Sequence, residues 1–99
     1  MIHSVIATVR IRPGAEAEAE FEAIAKKLVA ATNAEPGCLL YTLNKGEEPN
    51  AYVFMERYRD EEAVKAHRAS DHFRSLGREM GAFMEGERSV LRMQEIAGP

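Results

Sequence analysis

Two histidines, His67 and His72, lie in a short stretch that also carries Glu56, Tyr58, Asp60, Asp71 and Phe73. An imidazole with an ordinary pKa of about 6.5 can accept or return a proton at neutral pH, and a phenol can donate a hydrogen bond to an oxyanion as it forms. His67 is therefore the expected general base or proton shuttle, Tyr58 the expected donor, and His72 a further proton-transfer group beside them. Each also has a plainer use. His67 follows Ala63 and Val64 on one helix face, which equally suits a neutral core histidine with one hydrogen bond. His72 adjoins a helix-capping position, which suits the surface. Glu56 and Tyr58 share a strand face with Tyr52 and Phe54, either as an aromatic ladder or as a carboxylate and phenol reaching into a pocket. Asp71 would orient the His67 ring if one helix ran through both residues. The spacing of the two histidines is not that of a metal pair and no third ligand stands beside them, so no metal is expected.

Those side chains must be held by the elements around them. Ile2 to Arg12 alternates as a strand, with Val5, Ala7, Val9 and Ile11 on one face and Ile2, Ile6, Arg10 and Arg12 among the residues of the other. Pro13-Gly14 breaks it. Ala15 to Ala34 places Phe21, Ile24, Ala25, Leu28 and Ala31 or Thr32 at helical spacing, and its early glutamates precede Lys26 and Lys27 in the order that complements a helix dipole. Glu35-Pro36-Gly37 stops this helix. Cys38 to Lys45 and Ala51 to Tyr58 read as a strand pair around the Gly46 to Asn50 loop. Asp60 is a good N-cap for a helix from Glu61 to about Ala69, and Ser70 or Asp71 caps a further segment with Phe73, Leu76, Met80, Phe83 and Met84 as its apolar stripe. Gly77 and Gly81 weaken that segment. Ser89 to Ile96 alternates as a fourth strand, while His3 is simply a residue of the first.

The order strand, helix, strand, strand, helix, strand is that of an α+β, ferredoxin-like split βαβ unit with a four-stranded antiparallel sheet and helices on one face. At 99 residues it is expected to form a single domain over 1–99. Hydrophobic residues make up 45% and charged residues 29%, the balance of an ordinary globular protein. No apolar run reaches the roughly 20 residues of a membrane span and the N-terminus lacks the apolar region of a signal peptide, so a cytoplasmic protein without membrane partners is expected. A formal net charge of −3 argues against a nucleic-acid partner. Cys38, the only cysteine, is expected as a small buried residue. The strands are apolar on both faces while the helices cover only one, so a second copy of the sheet is expected to form a homodimer.

The string Glu56-x-Tyr58, then Asp60-Glu61-Glu62-Ala63, His67, Ser70 and His72-Phe73, preceded by Glu35-Pro36-Gly37-Cys38 and Tyr41, resembles the antibiotic biosynthesis monooxygenase (ABM) family of dimeric α+β barrels. The resemblance covers nearly the whole chain. It implies a ferredoxin-like protomer that pairs sheet to sheet, with one pocket between sheet and helices. In this chain Ala7, Tyr41, Phe54, Glu56, Phe73, Met80 and Phe83 are its expected lining. The family includes quinol or anthrone monooxygenases without a cofactor, haem-degrading enzymes, and an isomerase of phosphorylated autoinducer-2. The haem-degrading branch has a tryptophan where His67 stands, a histidine where Gly77 stands and an asparagine near Ala7, so haem is not expected. The isomerase branch resembles Glu56 to His67, but Arg10, Arg12, Lys45, Arg57, Arg68 and Arg74 show no obvious clustering in the sequence.

No phosphate-binding glycine loop, Ser-His-Asp arrangement, or flavin or nicotinamide fingerprint is present, so no cofactor is expected. If the protein oxidises anything, the substrate must then supply the electrons. A deprotonated dihydroxy-aromatic can pass an electron to dioxygen directly, and the protein need only provide a dry slot, a base and an oxyanion donor. The expected function is thus a cofactor-independent monooxygenase of a small electron-rich aromatic or quinol. The alternatives are an isomerase of a phosphorylated autoinducer-2-type diketone and a non-catalytic small-ligand binder.

Overall fold

Alternating strands and amphipathic helices assemble, in the computed structural model of residues 1–99, into β1 (His3–Arg10), α1 (Ala15–Asn33), β2 (Cys38–Lys45), β3 (Ala51–Tyr58), α2 (Glu61–Ala69), α3 (Asp71–Gly81) and β4 (Ser89–Gln94). The sheet order is β2-β3-β1-β4 with every pair antiparallel, which is the expected ferredoxin-like α+β arrangement. No helix is long and apolar enough to cross a membrane.

Register decides which side chains meet the helices. Val5 pairs with Glu56, Ala7 with Phe54 and Val9 with Tyr52, so the odd positions of β1 and the even positions of β3 share the inner face. Tyr52, Phe54, Glu56 and Tyr58 are all buried there. α1 packs Phe21, Ala25, Leu28 and Thr32 onto this face; the rings of Phe21 and Tyr52 lie 4.9 Å apart. The Tyr52 hydroxyl donates to Glu22 at 2.6 Å, which satisfies its polar end at the rim of the core.

A β-bulge between Cys38 and Leu40 re-phases β2. Simple alternation would send Cys38 and Tyr41 to opposite faces. With the extra residue absorbed at Leu39, Cys38 lies opposite Tyr58 and Tyr41 opposite Glu56, both on the inner face. Cys38 is half-buried, less deeply than expected, and burial pushes its thiol pKa up, so it remains a thiol at neutral pH.

The second helical region is broken in two. Asp60 caps α2 by accepting from the Ala63 N–H at 2.8 Å. Ser70 is extended (φ −69°, ψ 149°), donates its hydroxyl to the His67 carbonyl at 2.6 Å and accepts from the Phe73 N–H at 3.2 Å. One residue thus ends α2 and caps α3. Asp71 therefore does not lie on the same helix as His67, and the expected Asp71 contact with that ring is replaced by another partner.

The outer face of the sheet carries Ile6 and Val53, half-buried, with Leu40, Met55, Leu91 and Met93 exposed. Both faces are apolar, as the alternation implied.

Gly37 lets the turn after α1 lie directly against α2, because a Cβ there would collide with the Cβ of Ala63. The Arg59 N–H donates to the Gly37 carbonyl at 2.9 Å and seals the contact. Gly77, within α3, has open space where a Cβ would go. Urea denaturation should show Gly37→Ala destabilised by about 1–3 kcal/mol through overpacking. Gly77→Ala should be stabilised by about 0.5–1 kcal/mol through helix propensity. Equal effects of the two would contradict the close-approach role of Gly37.

Candidate active site

α2 carries His67 inward, where it is 2% exposed. Its Nδ1 lies 2.9 Å from Glu35 Oε2, and the same oxygen lies 2.5 Å from Nε2 of His72. A carboxylate only accepts, so both rings donate to it. His67 is thereby fixed as the Nδ1–H tautomer, leaving Nε2 with a free lone pair. That Nε2 is buried and has no partner in the protein. Burial pushes the His67 pKa down, against the opposing pull of the Glu35 hydrogen bond and charge. His67 is therefore neutral at pH 7, as a general base must be.

Tyr41, Tyr58 and Phe73 surround the ring, with centroids 5.4, 5.5 and 4.8 Å away. Beside it a cavity of about 100 Å³ opens between the inner sheet face and α2 and α3. Apolar cavities in proteins of about 150 Å³ admit a benzene ring, so this one is of the order needed for a small planar ligand. Its lining includes His67, Tyr58, Ala7, Tyr41, Phe54, Glu56, Phe73 and Met80 among the expected residues.

Two expected residues lie elsewhere. Phe83 is outside the cavity because α3 ends at Gly81 and the helical stripe does not reach it; its ring is held 4.6 Å from the Arg12 guanidinium, and Met84 lines the cavity instead. His72 is also outside, turned toward Glu35 from the first turn of α3. It touches the cavity chemistry only through that shared oxygen.

The two cavity phenols differ. The Tyr58 hydroxyl is committed to Glu56 Oε1 at 2.5 Å and the side chain is wholly buried. Tyr41 makes no hydrogen bond through its hydroxyl and stands free at the cavity wall. Burial, reinforced by Glu56, pushes both phenols above their ordinary pKa, so both keep their protons. Burial also pushes the Glu56 carboxyl up, opposed by the Tyr58 hydrogen bond and by Arg68 and Arg92. Tyr41 is thus the phenol with a proton available to a ligand, whereas Tyr58 was the one expected from the sequence.

Glu35 was not expected at the site. Its sequence signals are its place before Pro36-Gly37, which reads as a helix stop, and its membership of the Glu35-Pro36-Gly37-Cys38 string that resembles the family, neither of which assigns it a partner. It also supplies the third donor that the two histidines lacked: Glu35, His67 and His72 hold possible metal-ligating atoms within 4.8 Å of one another. Their 2.5 and 2.9 Å separations are those of hydrogen bonds, tighter than two ligands each about 2.0–2.1 Å from a tetrahedral ion would stand. The arrangement is a His–Glu–His cluster hydrogen-bonded through one shared oxygen. Arg88 and Arg92, from β4 and the segment before it, also line the cavity unforeseen, and Arg68 joins them.

Residues 2–78 match the antibiotic biosynthesis monooxygenase family. The chain is 29% identical over 84 residues to a Mycobacterium tuberculosis protein named "Putative monooxygenase Rv0793", covering 85% of this chain and 83% of that one. The solved structure of Rv0793 superposes with a TM-score of 0.89 at 26% identity over 99% of this chain and 98% of that one. A Bacillus subtilis protein named "Putative monooxygenase YcnE" is 35% identical over 71 residues, 71% of this chain and 73% of its own length. A crystal structure described as a putative antibiotic biosynthesis monooxygenase from Caulobacter crescentus CB15 superposes with a TM-score of 0.91 at 32% identity, covering 97% and 91% of the two chains.

The Glu35 carboxylate raises the His67 pKa against burial, so Glu35→Gln should lower it further while a glutamine oxygen still accepts from Nδ1–H. Proton NMR of the His67 ring should show a wild-type midpoint below about 6.5 and a lower one in the variant. Because the folded-state value is depressed, the stability gained by keeping His67 neutral is complete above the unfolded pKa and is lost as pH falls through the folded one. An unchanged or raised midpoint in Glu35→Gln would rule out the carboxylate as the ring's partner.

Proposed function

This chain belongs to the antibiotic biosynthesis monooxygenase family, and from that membership we propose that it is a cofactor-independent monooxygenase of a small electron-rich aromatic or quinol. Family and relatives' names support monooxygenase activity in general. The narrower reading rests on one observation: a neutral, oriented histidine with an unpartnered Nε2 beside an apolar cavity of about 100 Å³.

His67 removes a phenolic proton through Nε2. The phenolate passes one electron to dioxygen, and the superoxide combines with the ring radical to form a carbon–oxygen bond. Protonation of the distal peroxide oxygen by the imidazolium and loss of water with the ring C–H proton leave a carbonyl. One oxygen atom enters the ring, the other leaves as water, and the substrate supplies the four electrons that dioxygen takes. Tyr41 donates to the developing oxyanion, where one well-placed donor counts heavily in a dry site. Glu35 holds the base in its tautomer, and His72 links that carboxylate toward solvent. The buried Glu56–Tyr58 pair shapes the wall.

The protein works as a homodimer. Leu40, Met55, Leu91 and Met93 on the outer sheet face form a patch that a second sheet would cover, closing an α+β barrel.

Oxygen uptake with a panel of quinols, without added flavin or metal, should be enzyme-dependent. His67→Ala should lower turnover about 10²–10⁴-fold, and Tyr41→Phe about 10²-fold, with Tyr58→Phe acting mainly on stability. The wild-type rate should be flat through neutral pH and fall on acidification below the usual histidine range, since the base must be unprotonated and its pKa is lowered. An unchanged rate per folded His67→Ala molecule would remove the base assignment. Isomerisation of a phosphorylated diketone without oxygen uptake would favour the isomerase instead.

Light scattering at micromolar concentration should give about twice 11.0 kDa. Leu91→Glu should yield the monomer. A monomeric wild-type protein would overturn the barrel.

A further inference from the structure

The cavity is mostly apolar, yet three arginines line it. Arg68 comes from the last turn of α2, Arg92 from β4 opposite Val5, and Arg88 from the segment leading into β4. None of them forms an ion pair, whereas Arg10, Arg57 and Arg59 meet Glu48, Glu95 and Asp60. Arg68 and Arg92 also line an adjoining outer cleft together, which sets them at the boundary between cavity and solvent. The one acid of the lining, Glu56, is already engaged by the Tyr58 hydroxyl. In a chain of net charge −3, this end of the cavity is a local reversal of sign.

Guanidinium groups keep their charge at any working pH and present paired donors that match carboxylate and phosphate oxygens. Arg68 and Arg92 act on the charge of Glu56, the one carboxylate of the lining, but three guanidinium groups against one carboxylate leave a surplus of positive charge at the rim of the apolar slot. Arg92 occupies an inner-face position of β4, two residues from Val90, on a strand exposed along its length, so its guanidinium reaches the cavity mouth while staying solvated.

We propose that the ligand of this cavity is a small planar molecule bearing one anionic group, a carboxylate or a phosphate, held by Arg68 and Arg92 with Arg88 beside them while its ring enters the apolar interior. The inference rests on the cavity being the substrate site of the proposed monooxygenase, and it narrows that substrate to an anion. It also accounts for the placement of the base: with the anionic group held at the β4 side, the ring is directed inward toward His67 and Tyr41.

The test is binding without turnover. Calorimetry under argon compares 2,5-dihydroxybenzoate, its neutral amide 2,5-dihydroxybenzamide, and phenyl phosphate on the intact protein. The carboxylate or the phosphate should bind about 10- to 100-fold more tightly than the amide, the scale of charge-assisted hydrogen bonds, and the tighter of the two identifies the anion. The preference should shrink as salt is raised and vanish in the Arg68→Gln, Arg92→Gln double variant, whose exposed substitutions leave the fold intact by circular dichroism. Equal binding of acid and amide, a preference that survives in the double variant, or no binding of any of the three would overturn the proposal. Anion-selective binding in a protein that consumes no oxygen would keep this inference and reject the monooxygenase reading, so the two fail separately.

Discussion

One carboxylate oxygen organises the site. Glu35 Oε2 receives N–H groups from His67 on α2 and His72 on α3, joining the turn after α1 to both later helices at 2.9 and 2.5 Å. Hydrogen bonds to a charged group contribute about 1.5–3 kcal/mol each when well made, and leaving a buried partner unmet costs comparably. The contact is possible only because the backbone at Gly37 lies against Ala63 with no side chain between them. Tautomer, ring orientation and the open Nε2 all follow from that approach.

The second constraint is where the helix layer stops. α1 covers β2 and the α3 side of the core, and α2 covers the end of β3, but β4 stays exposed along its length. A sheet covered over three strands and bare at the fourth leaves a slot at its edge. Apolar residues of β1 and β3 make its floor, while Arg88 and Arg92 enter from the uncovered side. The cavity is thus apolar at its base and lined by arginines at its mouth, a combination that strengthens charge interactions inside while leaving a path in.

Charge and burial then sort the polar groups by task. Tyr58 and Glu56 face each other at 2.5 Å and satisfy one another inside the wall. Tyr41, brought inward by the β-bulge, keeps a free hydroxyl. Burial keeps the His67 imidazole neutral and the phenols protonated, so the cavity holds one imidazole with an unpartnered Nε2 and one unengaged hydroxyl.

Much of this was legible in the sequence. Strand alternation and helical spacing located β2 and β3 at their observed bounds, the Asp60 cap marked the start of α2, and His67, Glu56 and Tyr41 were already candidates for the site. Those signals are local: a period of two or 3.6 residues and a capping side chain are written within a few neighbours. The tertiary structure alone decided the rest. That Glu35, 32 residues before His67, orients its ring depends on a close approach at Gly37 that no spacing records. That Tyr41 rather than Tyr58 offers the free hydroxyl depends on a bulge and on the Glu56 pairing. That Phe83 leaves the cavity to Met84 depends on where α3 ends, and that three dispersed arginines share one mouth depends on β4 lying beside β1. Periodicity fixes which face a residue takes only where the ladder is regular, and only the packed chain fixes where a bulge re-phases it and which distant faces meet.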